Sequence, residues 1–214
     1  MERSQTGQDI LLKNMGKNQS LKLPYPLILA STSKYRGTLL SQLGWDFEMM
    51  KPGVDEEKVK LENHSPTDLS LLLSKYKAHA VFVKRPDACI IGSDQVCSLN
   101  GKIFDKPGSI EAATEQISLL QGKIHELITA VTIIYPGGSE SFINKTTLHM
   151  RPLTLSEIHT YVKEDLPLDC AGSYKLESRG IKLFETIEMS DHTAIIGLPL
   201  IDLTSHLLKL GYPL

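Results

Sequence analysis

Three short polar segments of this 214-residue chain carry residue types that phosphate chemistry uses. The first is Ser31-Thr32-Ser33-Lys34-Tyr35-Arg36. Hydroxyl residues that stop an apolar run and open a helix aim several backbone N–H groups at one spot, where the helix dipole favours an anion. Ser31 and Ser33 supply the hydroxyls, and Arg36 adds a planar donor fork for phosphate oxygens. The second is Val54-Asp55-Glu56-Glu57, read as a strand end whose carboxylates are the hard oxygen ligands Mg²⁺ prefers. The third is Gly92-Ser93-Asp94-Gln95, read as the C-terminal edge of a buried strand, where open α/β sheets place ligand crevices. A carboxylate there, Asp94, is suited to orienting a metal-bound water and taking its proton. Lys77 and Lys106 are single cations, the latter in a turn stiffened by Pro107. Each segment has a plainer reading: a capping turn with a surface arginine, a solvated acidic loop, a turn aspartate, surface lysines.

The elements that must hold these residues follow from periodicity. Leu27–Ala30 is a continuous apolar run that suits a buried strand, and Ser31 to Ser33 are good N-cap residues for a helix over 35–43. A second strand is predicted over 47–54, a helix from Ser65 to Val83, and a buried strand over 88–92. Asn100-Gly101 signals a hairpin. A helix is predicted over 109–120, paired strands over 126–135 and 141–150 around Pro136-Gly137-Gly138, a helix over 156–162 capped by Ser156, and an amphipathic helix near the end through Leu203, Leu207, Leu208 and Leu210. Helix-separated strands alternating with hairpins predict an α/β fold with a mixed sheet. Residues 1–25 are polar and mixed and read as a loose leader; 26–214 read as one folded unit.

Composition excludes several classes. With 41% hydrophobic residues the chain should fold. A formal net charge of −2 argues against a protein that coats nucleic acid, while leaving room for a small phosphate ligand. No segment is long and apolar enough to span a bilayer, so no membrane partner is expected. Three cysteines with no CxxC pair fit a reducing, cytoplasmic compartment. The seven histidines form no HExxH motif or close pair, and no GxSxG, Walker or GxGxxG signature is present.

Taken in order, Leu27–Leu43, Val54-Asp55-Glu56, Ile90–Val96, Lys106-Pro107, Leu168–Gly180 and Ile196–Leu200 resemble the Maf proteins over about residues 26 to 212. The resemblance implies a nucleoside triphosphate pyrophosphatase with an elongated mixed sheet like that of inosine triphosphatases. It also implies a cleft between two lobes, dependence on Mg²⁺ or Mn²⁺, and a homodimer. By motif it implies Asp94 as general base, Ser31, Ser33 and Arg36 in the phosphate loop, Lys77 and Lys106 as phosphate-facing cations, and Glu56 with Asp94 on the metal side. Ser93-Asp94-Gln95 and Cys170-Ala171-Gly172-Ser173 are similar to the branch acting on 7-methyl-GTP, with Tyr35, Gln95 and Glu177 at its specificity positions. Their chemistry suits that base: an aromatic face for a cationic ring, a carboxylate for N1–H and the N2 amino group, and an amide donor for O6. The same reaction on dTTP, UTP or another modified nucleotide, and a nucleotide-binding regulator of cell division, remain the alternatives. Three positions depart from the family pattern: Gly37, where a second Arg is common, Asp105 and Thr193.

Overall fold

The computed structural model describes residues 23–214. Most of the leader predicted over 1–25 lies outside the described residues. Leu23 and Tyr25, which that reading left out of the folded unit, pack against a core, and Tyr212 donates its hydroxyl to the Tyr25 carbonyl at 3.0 Å.

Seven strands form one mixed sheet: β1 (Leu27–Leu29), β2 (Phe47–Met49), β3 (Cys89–Leu99), β4 (Lys102–Phe104), β5 (Ile124–Tyr135), β6 (Gly138–Met150) and β7 (Phe184–Glu188). Their order is β2-β1-β3-β5-β6-β7, with β4 also paired to β3. β2, β1 and the start of β3 run parallel, and the remaining pairings are antiparallel. The flanking helices are α1 (Lys34–Ser41), α2 (Glu56–Lys60), α3 (Pro66–Phe82), α4 (Ile110–Leu120), α5 (Leu155–Asp165) and α6 (Leu200–Lys209). Among the described residues no helix is long and apolar enough to cross a membrane.

The pairing of β3 leaves a gap along one of its edges. Along one edge β3 pairs with β1 through Cys89–Ile91 and with β4 through Cys97–Leu99. Its other edge pairs with β5 from Ile90 to Ser98 without a break. Residues 92–96 therefore face a gap between the end of β1 and the hairpin strand β4. Two apolar clusters lie on either side of that gap. One joins Leu27, Leu29, Leu39, Leu40, Trp45 and Cys89 to Leu203 and Leu207 of α6. The other joins Cys97, Leu127 and Leu148 to Ile117 of α4, Val162 of α5 and Phe184. A cleft between two cores results, as the resemblance implied.

Several local expectations need correction. The strand predicted over 88–92 extends to Leu99, so Asp94 lies mid-strand rather than at a strand end. Polar residues mark strand ends only when they lack partners indoors, and Ser93 has one, donating to the Gly197 carbonyl at 2.8 Å. The strand predicted over 47–54 ends at Met49, and the acidic segment after it caps and begins the short helix α2, with the Asp55 side chain accepting from the Lys58 N–H. α5 is capped by Thr154 with Glu157 in a reciprocal capping box, two residues before the predicted Ser156. The hairpin at Asn100-Gly101 holds: both residues have positive φ, 51° and 83°, the pattern of a type I′ turn. The turn at Pro136-Gly137 joins β5 to β6 directly, with Tyr135 opposite Gly138.

Candidate functional site

Strand alternation sends Asp94 to the α3 face of the sheet and its neighbours Ser93 and Gln95 to the other. On the α3 face, Gly92 gives the helix room. A Cβ there would lie 2.3 Å from the Ser74 carbonyl oxygen and 2.7 Å from the Ala78 nitrogen. That close approach lets Lys77 reach Asp94. Its Nζ lies 2.6 Å from Asp94 Oδ1 and 2.8 Å from Glu56 Oε1, so one ammonium bridges two carboxylates contributed by β3 and α2. Lys77 and Asp94 are each only 6% exposed. Burial lifts the Asp94 carboxyl above its ordinary pKa, with Lys77 and Arg36 opposing the rise. Burial acts on Glu56 in the same direction, but Lys77, Lys106 and Lys60 together hold it below its ordinary value.

The polar turn after β1 meets this group from the open edge. Ser33 caps α1, its side chain accepting from the Arg36 N–H at 3.5 Å. Ser31 Oγ accepts from the Ser33 N–H at 3.1 Å, which leaves the Ser31 hydroxyl proton free to donate. Arg36 Nε donates to the Gly197 carbonyl at 2.9 Å, so its two terminal nitrogens remain for a ligand. Burial lowers the Arg36 pKa, and Asp94 and Glu56 act against that fall. Ser31, Ser33, Arg36, Glu56, Lys77 and Lys106 line one pocket, and Asp94 joins Arg36, Glu56, Lys77 and Lys106 in the adjoining one.

The opposite face holds the third pocket. Tyr35, Gln95, Glu177 and Tyr174 line it, together with Arg36 and Lys106, which also line the other two. The Gln95 amide nitrogen donates to Thr129 Oγ1 at 3.0 Å and to the carbonyls of Ala194 and Ile195 at 2.9 and 3.0 Å. Thr129 spends its own proton on the Ala194 carbonyl, which fixes that orientation of the amide. This corrects the expected donor role of Gln95: its nitrogen is committed to protein, and the atom left for a ligand is the carbonyl oxygen, an acceptor. Glu177 is exposed on the pocket rim.

All ten expected site residues line these three adjoining pockets. The sequence reading missed the residues that aim them. Asp191, 2% exposed, accepts from the Thr193 N–H and hydroxyl through Oδ1 and from the Ile201 N–H through Oδ2. Thr193 Oγ1 in turn accepts from the Leu200 N–H. This knot holds the 3₁₀ turn Ala194–Ile196, whose carbonyls and that of Gly197 grip Gln95, Ser93 and Arg36. An aspartate two residues before a threonine was the only signal the sequence offered, and it does not tell a buried knot from a surface turn. Gly37, one of the positions that depart from the resemblance, is buried, and a Cβ there would lie 2.8 Å from Met49 Sδ.

The donor chemistry suits a divalent cation. Two carboxylates meet at one point beside phosphate-type donors, and Mg²⁺ is typically held by one or two carboxylates plus substrate phosphates and water. Among the described residues no group of three or more His, Cys, Asp or Glu side chains converges on a metal position.

An α/β sheet with a mid-strand gap, lined by a helix start, an arginine, lysines and paired carboxylates, defines a cleft built for an extended polyphosphate. Residues 26–210 match the family described as Maf-like protein, and the chain belongs to that family. It is 47% identical over 178 residues to a protein of Bdellovibrio bacteriovorus named 7-methyl-GTP pyrophosphatase, covering 83% of this chain and 93% of that one. Proteins of the same name from Xanthomonas campestris and Thiobacillus denitrificans are 42% and 43% identical, over 88% and 86% of this chain and 97% and 92% of theirs.

Proposed function

We propose that this protein hydrolyses the α–β phosphoanhydride of a nucleoside triphosphate, 7-methyl-GTP in preference to others, giving nucleoside monophosphate and pyrophosphate. The observation that carries the reading is the convergence of Asp94, Glu56 and Lys77 with Arg36 and the α1 start in the gap between β1 and β4. The relatives' shared name supports the substrate.

In this mechanism the triphosphate lies along the α1 start. Backbone N–H groups, the Ser31 and Ser33 hydroxyls and the Arg36 fork meet its oxygens. Asp94 takes a proton from a water as the water oxygen bonds to the α-phosphorus. The bond from that phosphorus to the bridging oxygen breaks, and pyrophosphate leaves with the electron pair, its charge met by Arg36, Lys77 and Lys106. Burial of Asp94 raises its affinity for that proton, which suits a general base. Glu56 and Asp94 would hold a Mg²⁺ or Mn²⁺ ion, which when bound neutralises the triphosphate and polarises it toward attack. Tyr35 offers a ring face to the cationic base, while Glu177 and the Gln95 carbonyl oxygen accept from its N1–H and amino group. Arg36 and Lys106, which this pocket shares with the two phosphate pockets, supply positive charge where the phosphates continue. A homodimer in the cytoplasm belongs to the same reading, and sedimentation of the purified chain tests its oligomeric part.

The test is a panel of 7-methyl-GTP, GTP, dTTP and UTP at equal concentration with Mg²⁺, with products identified. The expected result is fastest turnover of 7-methyl-GTP to the monophosphate and pyrophosphate. In Glu177→Ala the preference over dTTP and UTP should shrink by about tenfold or more, the cost of losing a charged hydrogen-bond acceptor, while the preference over GTP, whose base offers the same two donors, should hold. A wild-type preference for dTTP or UTP would overturn the substrate. Tight binding of all four without turnover in the presence of metal would favour a nucleotide-sensing regulator.

A further inference from the structure

The base pocket and the phosphate pocket share five lining residues: Ser33, Tyr35, Arg36, Lys106 and Asp169. A nucleotide with its base in one and its phosphates in the other must put its sugar at that junction. Four of the five are spoken for by the chemistry above, as helix cap, base platform and phosphate donors. Asp169 is the fifth, and the one group of the five that only accepts hydrogen bonds when ionised. Its carboxylate stands close enough to the Tyr35 hydroxyl to help raise that phenol's pKa, after burial itself. Its protein partners are weak. Cys170 Sγ lies 3.6 Å from Oδ1, and Lys175 Nζ lies 3.5 Å from the same oxygen while donating at 3.1 and 3.3 Å to the carbonyls of Leu166 and Asp165. The side chain is 59% exposed, and Oδ2 has no partner among the described residues.

What a sugar at the junction offers is hydroxyl donors. A carboxylate facing a vicinal diol accepts from it, and the acidic residue that selects ribose in dinucleotide folds works the same way. We infer that Asp169 is a specificity-determining residue that accepts hydrogen bonds from the ribose hydroxyls, making the protein prefer ribonucleoside over 2′-deoxyribonucleoside triphosphates. The inference rests on the pyrophosphatase reading, and it concerns the sugar where that reading concerns base and phosphates. The carboxylate repels phosphate oxygens, so it also discourages a triphosphate from sliding into the sugar position.

The experiment measures pyrophosphate release from 7-methyl-GTP, 7-methyl-2′-deoxy-GTP and GTP by wild type, Asp169→Ala and Asp169→Asn. Wild type should favour the ribonucleotide of the methylated pair. In Asp169→Ala that ribo-to-deoxy ratio of kcat/KM should fall about tenfold, the value of a charge-assisted hydrogen bond, with the change in KM rather than kcat. Asp169→Asn, whose amide oxygen still accepts, should fall between. The ratio of 7-methyl-GTP to GTP should stay as it was. An unchanged ribo-to-deoxy ratio in Asp169→Ala overturns the inference, as does a wild type indifferent to the sugar. If both methylated substrates weaken equally while GTP does not, Asp169 reads the positive charge of the base and the inference again fails. Absence of pyrophosphate from every substrate with wild type would instead remove the reading on which it rests.

Discussion

Lys77 shows how much one residue can hold in place. Its ammonium touches both carboxylates that a divalent cation would use, at 2.6 and 2.8 Å. Bare metal must therefore compete with a resident cation, whereas a metal arriving on a triphosphate brings oxygen ligands that can also receive the lysine. Wild type should bind Mn²⁺ weakly in the absence of nucleotide. Lys77→Met should bind it at least about tenfold more tightly, because like charges a few ångströms apart repel by ~4 kcal/mol at the effective dielectric of such sites. Titration calorimetry without nucleotide measures this, and equal affinities would show that the lysine does not guard the metal position. The types and spacing of Asp94, Arg36 and the serines were legible in the sequence because phosphate chemistry restricts which side chains serve. The Lys77 bridge was not, since a lone lysine in a helix carries no mark of what strand it will face.

At the scale of elements, the site depends on how closely α3 rides on β3. The contact is made by Gly92, where a side chain would meet helix backbone that has no rotamer to move aside. Gly92→Ala should cost roughly 1–3 kcal/mol of stability, the usual range for overpacking a closed interior. It should also lower turnover by more than that loss explains, because a displaced α3 withdraws Lys77 from Asp94. Denaturant unfolding and kinetics on the same preparation check both halves; full activity would mean the helix position is not critical. Regular elements with clear periodicity, such as α3, α4 and the β5–β6 hairpin, were readable in advance. The length of β3 was not, because Ser93, Asp94 and Gln95 look like a loop until their partners in the Ala194–Ile196 turn and in α3 are known. Helix α2 and strand β7 escaped for the complementary reason: Glu56–Lys60 is short and polar, and Phe184–Glu188 is an edge strand with few buried residues.

Across the whole molecule, two cores must stay in register for the cleft between them to keep its shape. The core on the β4 side contains a buried histidine. His125 is 2% exposed, lies 3.0 Å through Nε2 from the Tyr174 hydroxyl, and has its pKa pushed down to about 4 by burial. A histidine held neutral in the fold but protonated freely once unfolded contributes stability that is complete above its unfolded pKa near 6.5. That stability is lost as pH falls toward 4. The full loss is of order 3 kcal/mol. Unfolding free energy should therefore drop between pH 7 and pH 5, and His125→Gln, which keeps a polar partner for Tyr174 but cannot titrate there, should flatten that slope. An unchanged slope would assign the acid sensitivity elsewhere. The mixed sheet followed from the order of strands, helices and hairpins, and the two-lobed plan from the family resemblance. The gap at residues 92–96 did not, since it arises from where β1 stops and β4 begins along a third strand.

If Asp94, at the middle of that gap, takes the proton of the attacking water, Asp94→Asn of matching thermal unfolding should release pyrophosphate from 7-methyl-GTP with Mg²⁺ about 10²–10⁴-fold more slowly than wild type, the loss expected for a positioned general base. Release by the folded Asp94→Asn protein at the wild-type rate would show that another group takes the proton.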